Sequence, residues 1–335
     1  MEKKDGKRSI GPIVATGVII IVLLFIFVNL IYNRIIDEAN MSAPGTGETY
    51  ARHIAMIVGS PQDEFWQDVY KHAKEDAAER DCFVELKETG NSTVYTLSDL
   101  MTISIASGVD GIIVENDGSE GLKEKIDEAS DAGIQVVTVL NDAADTKRVS
   151  YVGLNPYTAG KMYSEKLIPI LKSDKSIKNI AVFMKDDRVD GNDFQIFSDI
   201  NTELMGNEEL ADRVTITAVR IPKEKAFGTE EVVQETLEGE IKPELVICLD
   251  SMTTETVYQS IIDMNLAGEV QMIGYYDSPN TVGALKRNNM LMTLVISTED
   301  MGAYASQAVS DAIETGRTNS YYAVNADFIS SEDVR

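Results

Sequence analysis

Five short stretches place polar, charged and aromatic side chains where an apolar run has just ended: Gly59-Ser-Pro-Gln-Asp-Glu-Phe-Trp66, Asn141-Asp142, Lys185-Asp-Asp-Arg-Val-Asp190, Asp250-Ser251 and Tyr275-Tyr-Asp277. A carboxylate accepts two hydrogen bonds side by side, an amide both donates and accepts, and an aromatic face covers apolar C–H surface. Such a set is suited to holding a small polar molecule. It does not amount to catalytic machinery. Of the two histidines, His53 begins a predicted strand and His72 lies on a predicted helix, so a solvated or packed role is expected for both. There is no Walker loop, no Gly-x-Gly-x-x-Gly after a strand, no Cys-x-x-Cys, no His-Glu-x-x-His and no Gly-x-Ser-x-Gly elbow. The acidic run from Asp186 to Asp193, with Gly191 inside it, lacks the alternating spacing of a calcium loop and also reads as a solvated surface turn. No enzyme activity, cofactor or metal is expected.

The elements that must position these loops alternate with regularity. Continuous Ile, Val and Leu runs predict strands at His53–Val58, Phe83–Lys87, Gly111–Val114, Gln135–Leu140, Val149–Gly153, Asn179–Met184, Val214–Arg220, Leu245–Leu249, Gln271–Gly274, Met290–Val295 and Tyr322–Phe328. Between them, apolar residues recur at three and four, for example over Glu64–Arg80, Tyr95–Ser107, Leu122–Ala132, Thr158–Leu171, Thr254–Leu266 and Asp300–Thr315. Strands buried on both faces and separated by amphipathic helices predict an α/β architecture with parallel sheets. Eleven strands exceed one ordinary sheet, and 335 residues suggest about two lobes. In open parallel sheets the ligand lies beyond the carboxyl ends of the strands, which is where the five loops fall.

The chain is 44% hydrophobic and 25% charged, with 23 Gly and 8 Pro, the composition of a folded globular protein. Its 30 basic residues face 55 acidic ones for a net charge of -25, a field that repels phosphate backbones and disfavours nucleic acid as a partner. No charged residue occurs between Arg8 and Arg34, and the centre of that gap runs from Val18 to Ile31 with Asn29 as its one polar residue. About 20 apolar residues suffice to cross a bilayer as a helix, whereas the apolar region of a cleaved signal peptide is about 7 to 15. A retained anchor is preferred over cleavage at the weak Met41-Ser-Ala43 site. Lys3, Lys4, Lys7 and Arg8 then place the N-terminus inside and the remainder outside the cell membrane. The expected organisation is a basic cytoplasmic segment over 1–9, a transmembrane helix over 10–32 in the lipid bilayer, a flexible tether over 33–50 and a folded ectodomain. Cys82 and Cys248 fall on two distant predicted strands; a disulfide is possible outside the cell, but two buried free thiols are the simpler reading.

The segment Ile54-Ala-Met-Ile-Val-Gly-Ser-Pro-Gln-Asp-Glu-Phe-Trp66 resembles the first strand and ligand loop of the ribose-type, class I periplasmic sugar-binding proteins. Ser107-Gly-Val-Asp-Gly-Ile-Ile-Val114, Ala132-Gly-Ile-Gln-Val-Val-Thr138, Tyr151-Val-Gly-Leu-Asn155 with Gly160, and Ile273-Gly-Tyr-Tyr-Asp-Ser-Pro279 extend the resemblance to about Phe328. It implies two doubly wound lobes joined by a three-segment hinge, 51–154 with 297–325 and 155–296 with 326–335, closing on a ligand in the cleft. Carried over residue by residue, Phe65 and Trp66 fall on the aromatic pair that stacks on a sugar ring, although both also read as core residues of the first helix. Gln62 or Asp63 matches an amide that binds a hydroxyl. Asp250 matches an Asn position of the second lobe, and Asp277, or Tyr276 if the loop has no insertion, matches a carboxylate.

The pattern also departs. An Asp-Arg pair expected after strand four is replaced by Leu140, Asn141 and Asp142; the arginine expected in the second lobe has Arg188, beside Asp190, as its nearest candidate; a hinge Gln aligns with Ile296. The cleft is thus more acidic than the family pattern. The resemblance implies a tethered solute-binding protein that hands a small polar ligand, a monosaccharide, to an ABC importer's permease. The alternative is a co-receptor of the same fold that signals to a membrane sensor histidine kinase. A repressor of this fold would need a basic helix-turn-helix where the apolar span stands.

Overall fold

A computed structural model describes residues 50–87, 95–185, 191–221 and 228–334. The expected transmembrane segment and tether, together with Arg188 and Asp190, lie outside the described residues. No helix among the described residues is long and apolar enough to cross a membrane.

Strands and helices alternate as the apolar periodicity requires. Their order is β1 Arg52–Ile57, α1 Glu64–Glu79, β2 Cys82–Lys87, α2 Leu97–Ser107, β3 Gly111–Glu115, α3 Glu120–Asp131, β4 Gln135–Val139 and β5 Ser150–Gly153, followed by α4 Pro156–Ser173, β6 Asn179–Met184, α5 Asn192–Met205, β7 Thr215–Arg220, α6 Gly228–Glu238, β8 Leu245–Cys248, α7 Ser251–Asp263, β9 Gln271–Tyr275, α8 Pro279–Lys286 and β10 Met292–Ile296. The chain ends with α9 Thr298–Thr315, β11 Tyr321–Ala323 and β12 Ala326–Ser330. Two six-stranded sheets result, ordered β11-β5-β4-β3-β1-β2 and β12-β10-β9-β8-β6-β7. Every pairing is parallel except that of β10 with β12. The protein is therefore two α/β lobes of the periplasmic-binding-protein-like I type, the architecture expected from the strand count.

Two expectations need correction. The run Tyr322–Phe328 is not one strand but two, β11 in the first sheet and β12 in the second, because the chain changes sheet at Val324 and Asn325. Burial on both faces holds for the central strands, but β7 at a sheet edge has no buried residue and is half-buried only at Ile216 and Val219, as an edge facing water should be.

The chain passes between the sheets three times, after β5, after β10 and between β11 and β12, and these passages are tied to one another. The Val324 amide donates to Gly153 O at 3.2 Å, the Ser297 amide to Asn325 O at 2.8 Å, and Asp300 Oδ2 accepts from the Asn325 amide and side chain at 3.1 and 2.7 Å. Gly153 has no room for a Cβ, which would lie 2.4 Å from the Tyr151 hydroxyl oxygen. Behind each sheet a pair of helices packs closely. Gly302 of α9 meets the backbone of α1, and Gly160 of α4 meets Asp199 of α5. Cys82 and Cys248 are buried free thiols on strands of different lobes.

Candidate functional site

Residues at the ends of β1, β3, β6 and β8 and in the loops that follow set the chemistry at the carboxyl edges of the two sheets. Asp63 and Asp250 are drawn there by a local demand, since each is the N-cap of the helix that follows its strand. Asp63 Oδ1 accepts from the Phe65 amide at 3.2 Å and Asp250 Oδ1 from the Thr253 amide at 2.9 Å. Capping leaves each carboxylate a second oxygen. That of Asp63 accepts from the Ser251 hydroxyl across the lobes, while Asp250 Oδ2 is buried with no hydrogen-bond partner. Lys185 lies 2.7 Å from Asp250 Oδ1. Glu115 ends β3 and accepts from the Gly59 amide at 2.7 Å.

These four groups feel one another. Burial pushes the Glu115 and Asp63 carboxyls above the usual carboxylate range, and the Asp250 charge adds to this while Lys185 opposes it. Burial alone would lower the Lys185 ammonium, but Asp250, then Glu115 and Asp63, outweigh it and hold it above its ordinary value. One ammonium from the second lobe thus stands among a carboxylate of its own lobe and two of the other.

Beside this cluster an open groove of about 840 Å³ is lined from the first lobe by Ser60, Gln62, Asp63 and Glu64 and from the second by Ser251, Glu255, Ser278 and Asn280. Among these lining groups Glu255 accepts from the Ser278 hydroxyl and, at 2.9 Å, from the Asn280 amide. Pro61 and Met252 also line it, so the wall sets hydroxyls, amides and carboxylates beside apolar surface, which matches a ligand with both hydroxyl groups and C–H faces.

The other expected residues divide. Phe65 and Trp66 are 2% and 4% exposed, and the Phe65 ring meets Trp66, Tyr275 and Tyr276 edge-on at 5.0, 6.0 and 5.5 Å between centroids. Protein rings, not open space, cover Phe65. Asn141 and Asp142 follow β4 but serve their own lobe. Asp142 is held by the Arg148 guanidinium, with Nη2 to Oδ2 at 2.8 Å, and the Asn141 amide donates to Asn116 O at 3.2 Å. Tyr276 is buried with its hydroxyl donating to Asp68 of α1, and Asp277 beside it is exposed. Gln62 and Asp63 both line the groove.

Glu115 and Asn192 were not among the residues singled out from sequence, and Lys185 and Ser251 stood in the loops after strands without a role of their own. Glu115 had a signal, being the first charged residue after the apolar run Gly111–Val114 at the carboxyl end of a strand. Asn192, whose side chain donates to Leu140 O at 2.8 Å across the lobes, had none. No group of three or more potential metal ligands occurs among the described residues.

The profile of the family described as periplasmic binding protein domain matches residues 54–318, most of the chain and nearly all of both lobes. The chain belongs to the periplasmic binding protein family. Solved structures of that architecture superpose over its length. GanP, a glucose-galactose binding protein from Geobacillus stearothermophilus, is 19% identical with a TM-score of 0.70, covering 84% of this chain and 98% of its own. A XylFII–LytSN complex is similar at 22% identity and a TM-score of 0.70, over 84% and 98%. A solute-binding protein from Burkholderia graminis in complex with D-arabinose is similar at 18% and 0.70, over 86% and 98%. At these identities the likeness is one of fold. No curated protein matches the chain in sequence.

Proposed function

We propose that this periplasmic binding protein captures a small polyhydroxylated ligand, a monosaccharide, between its lobes, acting as a binder without turnover, and hands it to an ABC importer's permease. One observation carries the reading: groups from the carboxyl ends of strands in both sheets, Asp63 and Glu115 on one side and Lys185, Asp250 and Ser251 on the other, converge beside an open polar groove. Proteins of the same fold are solved with D-arabinose and D-allose, which supports a sugar over another polar solute. In this reading residues 10–32 anchor the lobes to the outer face of the cell membrane; the 25-residue gap between charged residues supports it.

Thermal unfolding of the full chain with D-arabinose, D-allose, D-glucose and D-galactose tests the ligand class. A sugar at 100 times its dissociation constant is expected to add about 2.7 kcal/mol of stability. No shift with any of them would overturn the sugar reading. A second reading, a co-receptor that reports occupancy to a sensor histidine kinase, is favoured by the XylFII–LytSN complex, in which a protein of this fold is found with another molecule. Co-purification of the full chain with a permease supports delivery, and co-purification with a kinase supports reporting.

A further inference from the structure

Tyr276 follows β9 at the carboxyl edge of the second sheet, with a backbone φ of 69°. A bulky residue in the left-handed region is strained, so the surroundings must fix it there. They do so from both sides: the Tyr276 amide donates to Leu294 O at 2.7 Å, and the hydroxyl of the fully buried Thr293 donates to Tyr276 O at 2.8 Å. This turn sends the ring out of its own lobe and onto Phe65 of α1, 5.5 Å away and near perpendicular at 82°. The phenol then donates to Asp68, three residues further along α1. Burial, with Asp68 adding to it, raises the phenol's pKa, so the donor stays protonated. Every partner in this contact is protein.

We propose that Tyr276 is a built-in latch: its bond to Asp68 closes the lobes before any ligand arrives. A binding protein whose lobes touch only through the ligand rests open when empty. Here a charge-assisted hydrogen bond and an aromatic contact join the lobes directly, and Ser251 to Asp63 adds a second protein-only bond beside them. The empty protein is therefore mostly closed, and the strength of ligand capture is set in part by Asp68, which does not line the groove. The inference goes beyond the proposed function and holds whatever the ligand is.

The test uses the full chain in lipid nanodiscs without ligand. Spin labels are attached through Lys74→Cys in the first lobe and Asp263→Cys in the second, both at exposed positions, while Cys82 and Cys248 stay unlabelled because they are buried. Pulsed electron-resonance distances should show mainly the short, closed separation in the parent. Asp68→Ala and Tyr276→Phe, each of which removes one partner of the bond, should move the closed-to-open ratio about tenfold or more toward open, the weight of one hydrogen bond to a charged group, and the double variant should go little further. If the parent is mainly open, or if Asp68→Ala leaves the distribution unchanged, the latch is refuted. Asp68→Ala alone decides the matter should Tyr276→Phe fail to fold.

Discussion

The two walls of the cleft are not alike. The first lobe presents acceptors, Asp63 and Glu115, and an aromatic, Phe65; the second presents donors, Lys185, Ser251 and the Tyr276 phenol, together with the acceptors Asp250 and Glu255, which its own Lys185, Ser278 and Asn280 already engage. Held apart, the first wall would leave two carboxylates with only neutral donors. Brought together, the Lys185 ammonium and the Ser251 hydroxyl answer them, while the Tyr276 phenol answers Asp68. The asymmetry teaches that closure of this protein is an electrostatic match between lobes as well as a grip on a guest, and that each lobe's polar groups are placed by its own strand ends and helix caps.

The support behind the walls differs too, and this gives the largest expected effect. In the first lobe a Cβ on Gly302 would lie 2.4 Å from Val69 O and 2.6 Å from Ala73 N, two backbone atoms, whereas in the second a Cβ on Gly160 would lie 2.6 Å from the Asp199 Cβ and come no nearer to backbone than 3.3 Å, at Ile196 O. Gly302→Ala should lower stability by about 2–3 kcal/mol and Gly160→Ala by less, as read from denaturant midpoints; equal losses would show that the two lobes rest on equivalent helix contacts. Next, Lys185→Met removes the cation held among Asp250, Glu115 and Asp63 and leaves the three carboxylates. The Lys185 side chain is about a third exposed, so the cost is expected near 1–2 kcal/mol, with sugar binding lost; full retention of binding would mean that the walls do not need a charge match.

The smallest effect is a slope. Because the Glu115 carboxyl in the folded chain sits above its ordinary value of about 4.5, the folded protein holds that proton more tightly than the unfolded one, and stability falls as pH rises from about 4.5 through the raised value. Asp63 adds a slope of the same sign. Glu115→Gln should flatten the decline in melting temperature over this range without abolishing it, since Asp63 still titrates. An unchanged slope would place the Glu115 carboxyl back in water.

Much of the fold was legible because its central strands are continuous apolar runs and its helices keep an apolar stripe, both local signals. The run Tyr322–Phe328 misled because only Val324 and Asn325 separate β11 from β12, and it is the hydrogen bonds of these two residues to the other crossings that divide the run between sheets. The acidic character of the cleft was legible at Asp63 and Asp250, which stand in the loops after strands and open the next helix. Asp142 follows a strand in the same way, yet Arg148, six residues on, claims it for the first lobe.

By itself the sequence determined the alternation of strand and helix, the loops that end on polar residues, the surplus of negative charge and the long uncharged stretch near the N-terminus, because each depends on neighbours within a few residues. Only the tertiary structure decided that Phe65 is covered by tyrosines from the other lobe, that Lys185 serves three carboxylates, and that Tyr276 reaches Asp68 across 208 positions of chain. Those contacts join residues whose separation along the chain carries no periodic signal, so they exist only once two independently built sheets face each other.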